Sequence, residues 1–265
     1  MGYNWETCTK ETREFVYHLL KRTEEIVAEN LVGFYIHGSL ALGGFNPKSS
    51  DIDILVVTTT PLSIERKKLL AKMFLKCSNH PFPVEVSFLN EAQLKDWEYP
   101  TPFDFHFSEY WRSSYEEETV LLNEMPKNDA DLAAHIMITN YCGICIWGKP
   151  INKVFPTVPK ADYISSILTD YKDCLKDIEI NPVYCTLNLI RVYWYLKEDK
   201  ISSKEEAGKW GLRHLPQEFN WTIQQVIAAY ASTEQNPLIQ STHLLLIRDY
   251  LKREVEELLG GTNWK

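Results

Sequence analysis

Apolar positions recur at 15, 19, 20, 26 and 27, with Thr23 among them, the spacing of one face of an amphipathic helix over residues 10–29. An apolar run then ends abruptly at Gly38-Ser39, and a second begins at Asp51-Ile52-Asp53. The pattern predicts a strand over 33–37, a turn, a short helix near 40–43 and a strand over 52–57, with the first helix packed on the sheet. Residues 61–76 read as another helix, with Arg66, Lys67 and Lys68 on its exposed face. Pro81 and Pro83 interrupt the chain before Val84-Glu85-Val86-Ser87-Phe88, whose alternation predicts a third strand. Glu85 and Ser87 then share one face and oppose Val84, Val86 and Phe88. A further helix is expected over 130–147.

Pro150, Pro156 and Pro159 break every periodic pattern between 148 and 160, which places a domain boundary there and divides the chain into 1–155 and 156–265. Beyond it the periodicity is helical throughout: 161–178, 183–196, 203–212, 219–231 and 237–259. Thr186, Leu187, Ile190 and Trp194 form one stripe of the second of these, expected to be core. No repeat or low-complexity tract is present, and residues 260–265 are expected to fray.

Composition narrows the possibilities. With 45% hydrophobic residues in 265 there is ample material for packed cores. Asp+Glu outnumber Lys+Arg, 36 to 28, which argues against a large nucleic-acid footprint and suits a cationic substrate. No stretch is long and apolar enough for a membrane span, and Asn4, Glu6 and Lys10 leave no room for a signal-peptide apolar region, so a cytoplasmic protein is expected. The six cysteines are too sparse for a disulfide-stapled domain. Cys142-Gly143-Ile144-Cys145 lacks the second pair that a zinc site needs, and these cysteines are expected to be small buried residues of the 130–147 helix.

The candidate chemistry lies in carboxylates. On a strand Asp51 and Asp53 project from the same face, with Ile52, Leu55 and Val57 expected on the opposite, core-facing side. Two carboxylates so close repel unless a cation sits between them, and hard oxygen ligands suit magnesium. Glu85, on a neighbouring strand, would complete a metal-dependent site. No GxxxxGK[ST], GxGxxG or GxSxG motif occurs, so kinase, dinucleotide and serine-hydrolase readings lack an anchor. The seven histidines show no ligand spacing; His37 reads as a strand-end core residue, and Glu116-Glu117-Glu118 as a solvated loop.

A Gly-Ser turn after a strand, a spacer, an Asp-apolar-Asp-apolar strand and a later strand with one acidic residue together resemble the polymerase-β-like nucleotidyltransferases. Gly38-Ser39 and Asp51-Ile52-Asp53-Ile54 match that pattern position by position. Within that superfamily, several segments resemble the aminoglycoside adenylyltransferases that modify streptomycin and spectinomycin. They include Phe107-Ser108-Glu109-Tyr110-Trp111-Arg112, Asp131-Leu132-Ala133, Trp147-Gly148-Lys149-Pro150 and the stretch around Leu189-Ile190-Arg191. Ile201-Ser202-Ser203-Lys204 and the residues that follow it belong with them, and the likeness runs from about Leu31 to Tyr230. It implies an α/β (α+β) nucleotidyltransferase domain with a small mixed sheet, followed by an all-α helical bundle.

The same resemblance implies a reaction and a site. AMP passes from ATP to a drug hydroxyl and pyrophosphate leaves; the phosphates lie at Gly38, Ser39 and Ser50. Two magnesium ions are expected on Asp51, Asp53 and Glu85, with Glu85 also the base. Arg191, Lys204 and Tyr230 complete the ATP site from the helical domain, so an interdomain cleft is expected. The acceptor lies against Glu109, Tyr110, Trp111, Asp177 and Asn181, because a protonated aminocyclitol suits carboxylates, amides and aromatic faces. Lys172 and Asn181 depart from the Trp and Asp of streptomycin-modifying relatives, which ranks spectinomycin first and streptomycin second. The expected partners are ATP and a cationic antibiotic, with neither nucleic acid nor membrane, and the expected state is a monomer. Two alternatives remain open: adenylylation of another small molecule or a protein hydroxyl, and a non-catalytic nucleotide sensor.

Overall fold

Thr9 caps the first helix by accepting a hydrogen bond from the Thr12 amide, and α1 (Lys10–Val27) buries Phe15, Val16, Leu19 and Leu20. The computed structural model describes residues 2–117, 128–232 and 239–260. The chain divides into two units, Tyr3–Ser166 and Ile167–Lys265 with Met1–Gly2. The division falls inside the helix Lys160–Asp177, past the proline-interrupted segment.

In the first unit, β1 (Leu31–Ile36) leads through α2 (Gly38–Leu42) to β2 (Ile52–Thr58), and α3 (Ile64–Cys77) carries the chain to β3 (Val84–Asn90). Asn90 forms a capping box with Gln93 and starts α4 (Glu91–Lys95). Then come β4 (Thr101–Pro102), β5 (Phe105–Phe107), a 3-10 turn at Glu109–Trp111 and α5 (Arg112–Glu116). The third glutamate of the 116–118 run lies outside the described residues. After β6 (Asn128–Asp129) follow α6 (Leu132–Cys142) and β7 (Ile144–Gly148).

The sheet is mixed, in the order β5-β3-β2-β1-β7, with β2 and β3 parallel and the other pairs antiparallel. A separate ladder pairs β4 with β6. Ile52, Ile54 and Val56 of β2 join Val84, Val86 and Phe88 of β3 in one core, which also takes in Phe15 and Leu19 of α1 and Leu70 and Phe74 of α3. This corrects the expected facing of β2. Period two puts Leu55 and Val57 on the side of Asp53, and both are buried there.

The expected helix over 130–147 is a helix and a strand. Gly143 follows the helix, and Ile144-Cys145-Ile146-Trp147 pairs with β1 as an edge strand. Cys142 is therefore half-buried and Cys145 exposed, and neither is the buried helical cysteine expected from the sequence. Gly148, at φ +99, lies so close to Val32 that an added Cβ would stand 2.2 Å from its carbonyl oxygen.

Beyond this unit's last segments the chain is helical: α7 (Lys160–Asp177), α8 (Pro182–Glu198), α9 (Lys204–His214), α10 (Asn220–Ser232) and α11 (Ser241–Gly260). Pro182 opens α8 at a position where a missing N–H costs nothing. Ser203 and Glu206 form a capping box on α9. Val183 and Leu187 of α8 pack on Val226 and Ala229 of α10. The start of the last helix expected from the sequence, at 237, lies outside the described residues. Among the described residues no helix is long and apolar enough to cross a membrane.

Candidate active site

The parallel pairing of β2 and β3 sets Asp53 directly beside Glu85. Strand alternation turns both away from the aromatic core, and Asp51 stands just before β2 on the same side. The turn after β1 closes over Asp53: the Ser39 amide donates to Asp53 Oδ2 at 3.2 Å, and Gly38 has φ +58. A Cβ at position 38 would stand 1.8 Å from that oxygen, so only glycine fits. The Ser39 hydroxyl oxygen is buried without a hydrogen-bond partner, as is Nδ1 of His37. A buried, unpaired hydroxyl at the start of a helix suits an anionic ligand. Ser50 is placed differently. Its hydroxyl accepts from the Asn46 amide at 3.0 Å and closes the turn that leads into β2.

Desolvation, then the charges of Glu85 and Asp51, push the Asp53 carboxyl up to about 7. Such a cluster calls for a cation. Among the described residues no three His, Cys, Asp or Glu side chains are grouped to hold a metal by themselves. Magnesium does not need such a cage, since it is commonly held by one or two carboxylates with substrate phosphates and water. Asp51 and Asp53 fit that chemistry, with Glu85 adjacent.

The raised Asp53 pKa has a consequence for stability. A carboxyl whose folded value exceeds its unfolded value of 3.8 stabilises the fold fully below the unfolded value, and this contribution is lost as pH rises through about 7. Metal-free Asp53→Asn, which keeps an acceptor for Ser39, is expected to unfold at a higher temperature than the parent at about pH 8, by roughly 3 °C or more. The gap should close toward about pH 4. Thermal melts of both proteins in a chelating buffer check this; a parent that is the more stable at pH 8 would contradict the placement of this charge.

Glu85 opens onto a cavity of about 320 Å³ whose other described lining is Phe103, His106, Ser108, Tyr110, Trp111, Asn128, Asp129 and Asp131. Tyr110 is 86% exposed and meets Trp111 edge to face at 5.4 Å between centroids. His106 is buried and holds Ser87 through Nδ1 at 2.9 Å, and Phe103 packs on its ring. Asp129 Oδ1 accepts from the Asp131 amide, an Asx turn leading into α6.

One turn into α6, His135 stands 3.9 Å from Glu85 through Nε2 and lies on the ring of His37 at 4.7 Å. Desolvation opposes charge on His135, but Glu85, Asp131, Asp129 and Asp53 overcome it and hold its pKa above the usual value. His37, desolvated and beside His135, is pushed well below its own. Pattern reading found neither His135 nor the Asp129 and Asp131 pair as site residues. Asp131-Leu132-Ala133 is visible as a family segment, but nothing local shows that its acid faces a strand some forty residues earlier.

Other expected site residues have specific surroundings. Glu109 is held by Arg112, with Nε at 2.7 Å and Nη2 at 3.0 Å, and also accepts from Asn79 at 2.6 Å and from the Ser78 hydroxyl. The Arg112 guanidinium first, and these donors with it, hold the Glu109 carboxyl below the usual range. The cavity lining passes through Tyr110 and Trp111 instead. In the helical unit Arg191 is half-buried on α8, Lys204 opens α9, and Tyr230 packs beside the core of Val183, Leu187, Val226 and Ala229. Asp177 ends α7 and its carbonyl accepts from the amides of Ile180 and Asn181; Asn181 precedes α8.

A Gly-Ser turn clasping a strand carboxylate, with a second acidic strand alongside, defines a nucleotidyltransferase. Comparison with known proteins agrees. The nucleotidyltransferase domain model matches residues 19–132, and that of the aminoglycoside adenylyltransferase C-terminal domain matches 153–254. The chain is 24% identical to a spectinomycin 9-adenylyltransferase of Campylobacter jejuni, over 92% of this chain and 95% of that one. It is 26% identical to an aminoglycoside (3'') (9) adenylyltransferase of Klebsiella pneumoniae, over 89% and 92%. A crystal structure of an Enterococcus spectinomycin adenyltransferase with ATP and spectinomycin shares the fold, with TM-score 0.76 at 21% identity over 92% of this chain and 99% of that one. The two matched domains and the named relatives together support an aminoglycoside nucleotidyltransferase.

Proposed function

We propose that this enzyme transfers AMP from ATP to a hydroxyl of spectinomycin and releases pyrophosphate. The observation that carries the reading is the pairing of Asp53 with Glu85 on adjacent parallel strands, with Glu85 opening onto an acidic, aromatic cavity. The Gly38 backbone and the unpaired Ser39 hydroxyl receive the phosphates. Arg191, Lys204 and Tyr230 of the helical unit are nucleotide-binding residues by resemblance to the family, and Ser50 supports the turn that leads into β2. Magnesium held by Asp51 and Asp53 would supply positive charge against the phosphate oxygens. Glu85 takes the proton of the acceptor hydroxyl as its oxygen bonds to the α-phosphorus; the bond from that phosphorus to the bridging oxygen breaks, and its electron pair leaves with pyrophosphate.

Spectinomycin is a compact aminocyclitol with protonated amines, and the cavity offers the matching chemistry. Tyr110 and Trp111 supply aromatic faces, and Asp129 and Asp131 of the same lining supply negative charge. Asn forms the same Asx turn as Asp, so Asp129→Asn removes charge while keeping the turn. Asp129→Asn and Asp131→Asn are each expected to raise KM for spectinomycin by about 5- to 20-fold, with KM for ATP unchanged within about 2-fold. Steady-state kinetics with each substrate varied checks this; equal rises in both KM values would place these acids outside the acceptor site. Lys172 and Asn181 favour spectinomycin over streptomycin. Expression in a sensitive bacterium is therefore expected to protect against spectinomycin more than against streptomycin, and protection against neither would direct the search to another acceptor.

A further inference from the structure

Lys204 stands at the first position of α9, where the partial positive charge of the helix terminus disfavours an ammonium. Its Nζ lies 4.1 Å from the centroid of the Tyr184 ring. That ring is braced at its far end. The Tyr184 hydroxyl donates to Asp170 Oδ2 at 2.7 Å, and Asn188 Nδ2 donates to the same oxygen at 2.8 Å. Tyr184, Asn188 and Arg191 follow one another at the i, i+4, i+7 spacing of a single face of α8. One strip of helix thus carries the aromatic platform, its brace and a second cation. Desolvation, then Asp170, hold the phenol well above its ordinary pKa, so it remains a hydrogen-bond donor at physiological pH.

We propose that Tyr184 is a positioning residue for the donor nucleotide: its ring face holds the Lys204 ammonium on the side of α8 that carries Arg191, and Asp170 and Asn188 hold the ring. The inference rests on the reading of Lys204 as an ATP ligand. A lysine side chain on a flexible stem loses rotamer freedom when it meets a phosphate, and a platform that restricts it beforehand reduces that loss. Donation of the phenol proton to a carboxylate also enriches the ring face in electron density and strengthens its hold on the cation. Removing the ring would both free the lysine and release Asp170, an anion that competes with phosphate for it.

The test is ATP affinity by titration calorimetry on the full chain, in a double-mutant cycle. Tyr184→Leu is expected to weaken ATP binding about 5- to 10-fold, and Tyr184→Phe, which keeps the ring face and loses only the brace, by about 3-fold or less. In the Lys204→Met background, Tyr184→Leu should cause no further loss of ATP affinity. Equal losses in both backgrounds, or Tyr184→Phe as damaging as Tyr184→Leu, would overturn the proposal and leave Tyr184 a packing residue. If Lys204→Met itself binds ATP like the parent, the assignment of Lys204 fails, and the role of Tyr184 fails with it for that separate reason. Tyr184→Met takes the place of Tyr184→Leu should thermal melts show that the leucine variant does not fold.

Discussion

Glu85→Gln is expected to lower kcat by about 10²- to 10⁴-fold while KM for ATP changes by no more than about 3-fold. Glutamine keeps the length and volume of the side chain, so the cavity and the β2 to β3 pairing survive; what disappears is the oxygen that receives the hydroxyl proton. Position matters more here than charge alone. Glu85 is adjacent to Asp53 in the parallel register, faces away from the core shared by Val84, Val86 and Phe88, and opens onto the cavity that contains Tyr110 and Trp111. His135 Nε2 stands 3.9 Å from it. Steady-state rates at saturating ATP and spectinomycin measure the loss, and a variant as fast as the parent would transfer the base role elsewhere.

Gly38→Ala is expected to be nearly as damaging, by a different route. The glycine has φ +58, in the left-handed region, and a Cβ there would meet Asp53 at 1.8 Å from Oδ2, 2.5 Å from Cγ and 2.9 Å from Cβ. Aspartate is too short to swing its end away while its own Cβ is in conflict, so either the turn or β2 must move. Displacing the Ser39 amide from Asp53 separates the phosphate-binding turn from the carboxylate that anchors it. A shift of about 1 Å at reacting groups costs on the order of 10²-fold, and kcat/KM for ATP is expected to fall at least that far. The strain should also lower stability by about 1–3 kcal/mol, visible as a reduced thermal midpoint. Unchanged kinetics in Gly38→Ala would mean that the turn does not hold the phosphates.

The parts of this site legible in the sequence are those encoded over short range. The Gly38-Ser39 turn, the Asp51-x-Asp53 pair and the alternation around Glu85 each lie within one strand or turn, and period-two geometry suffices to face them. The helices of the second unit were legible for the same reason, since a 3.6-residue period needs no partner to be recognised. Errors arose where tertiary pairing decides. Residues 144–147 have an apolar content that suits a helix or a strand; the antiparallel partner β1, more than a hundred residues away, and the break at Gly143 make them an edge strand. The facing of Leu55 and Val57 was a matter of counting, and buried positions on both sides of β2 hide such an error from hydrophobicity. The Glu109–Arg112 ion pair is an i, i+3 contact visible in the spacing, whereas the approach of Asp129, Asp131 and His135 to Glu85 joins residues more than forty apart in the chain. Nothing in a local pattern encodes those contacts. Tyr184 is the same case in the helical unit: its spacing from Arg191 is visible in α8, whereas the ammonium over its ring comes from α9.

Transfer of AMP to spectinomycin is tested most directly by the mass of the antibiotic after incubation with ATP, magnesium and the purified protein. A product heavier by one adenylyl group is expected, formed together with pyrophosphate by the parent and, under the same conditions, at least about 10²-fold more slowly by Glu85→Gln. Unmodified spectinomycin in the presence of bound ATP would contradict the assignment of this antibiotic as acceptor, and an adenylylated product formed equally by the glutamine variant would contradict the chemistry assigned to Glu85.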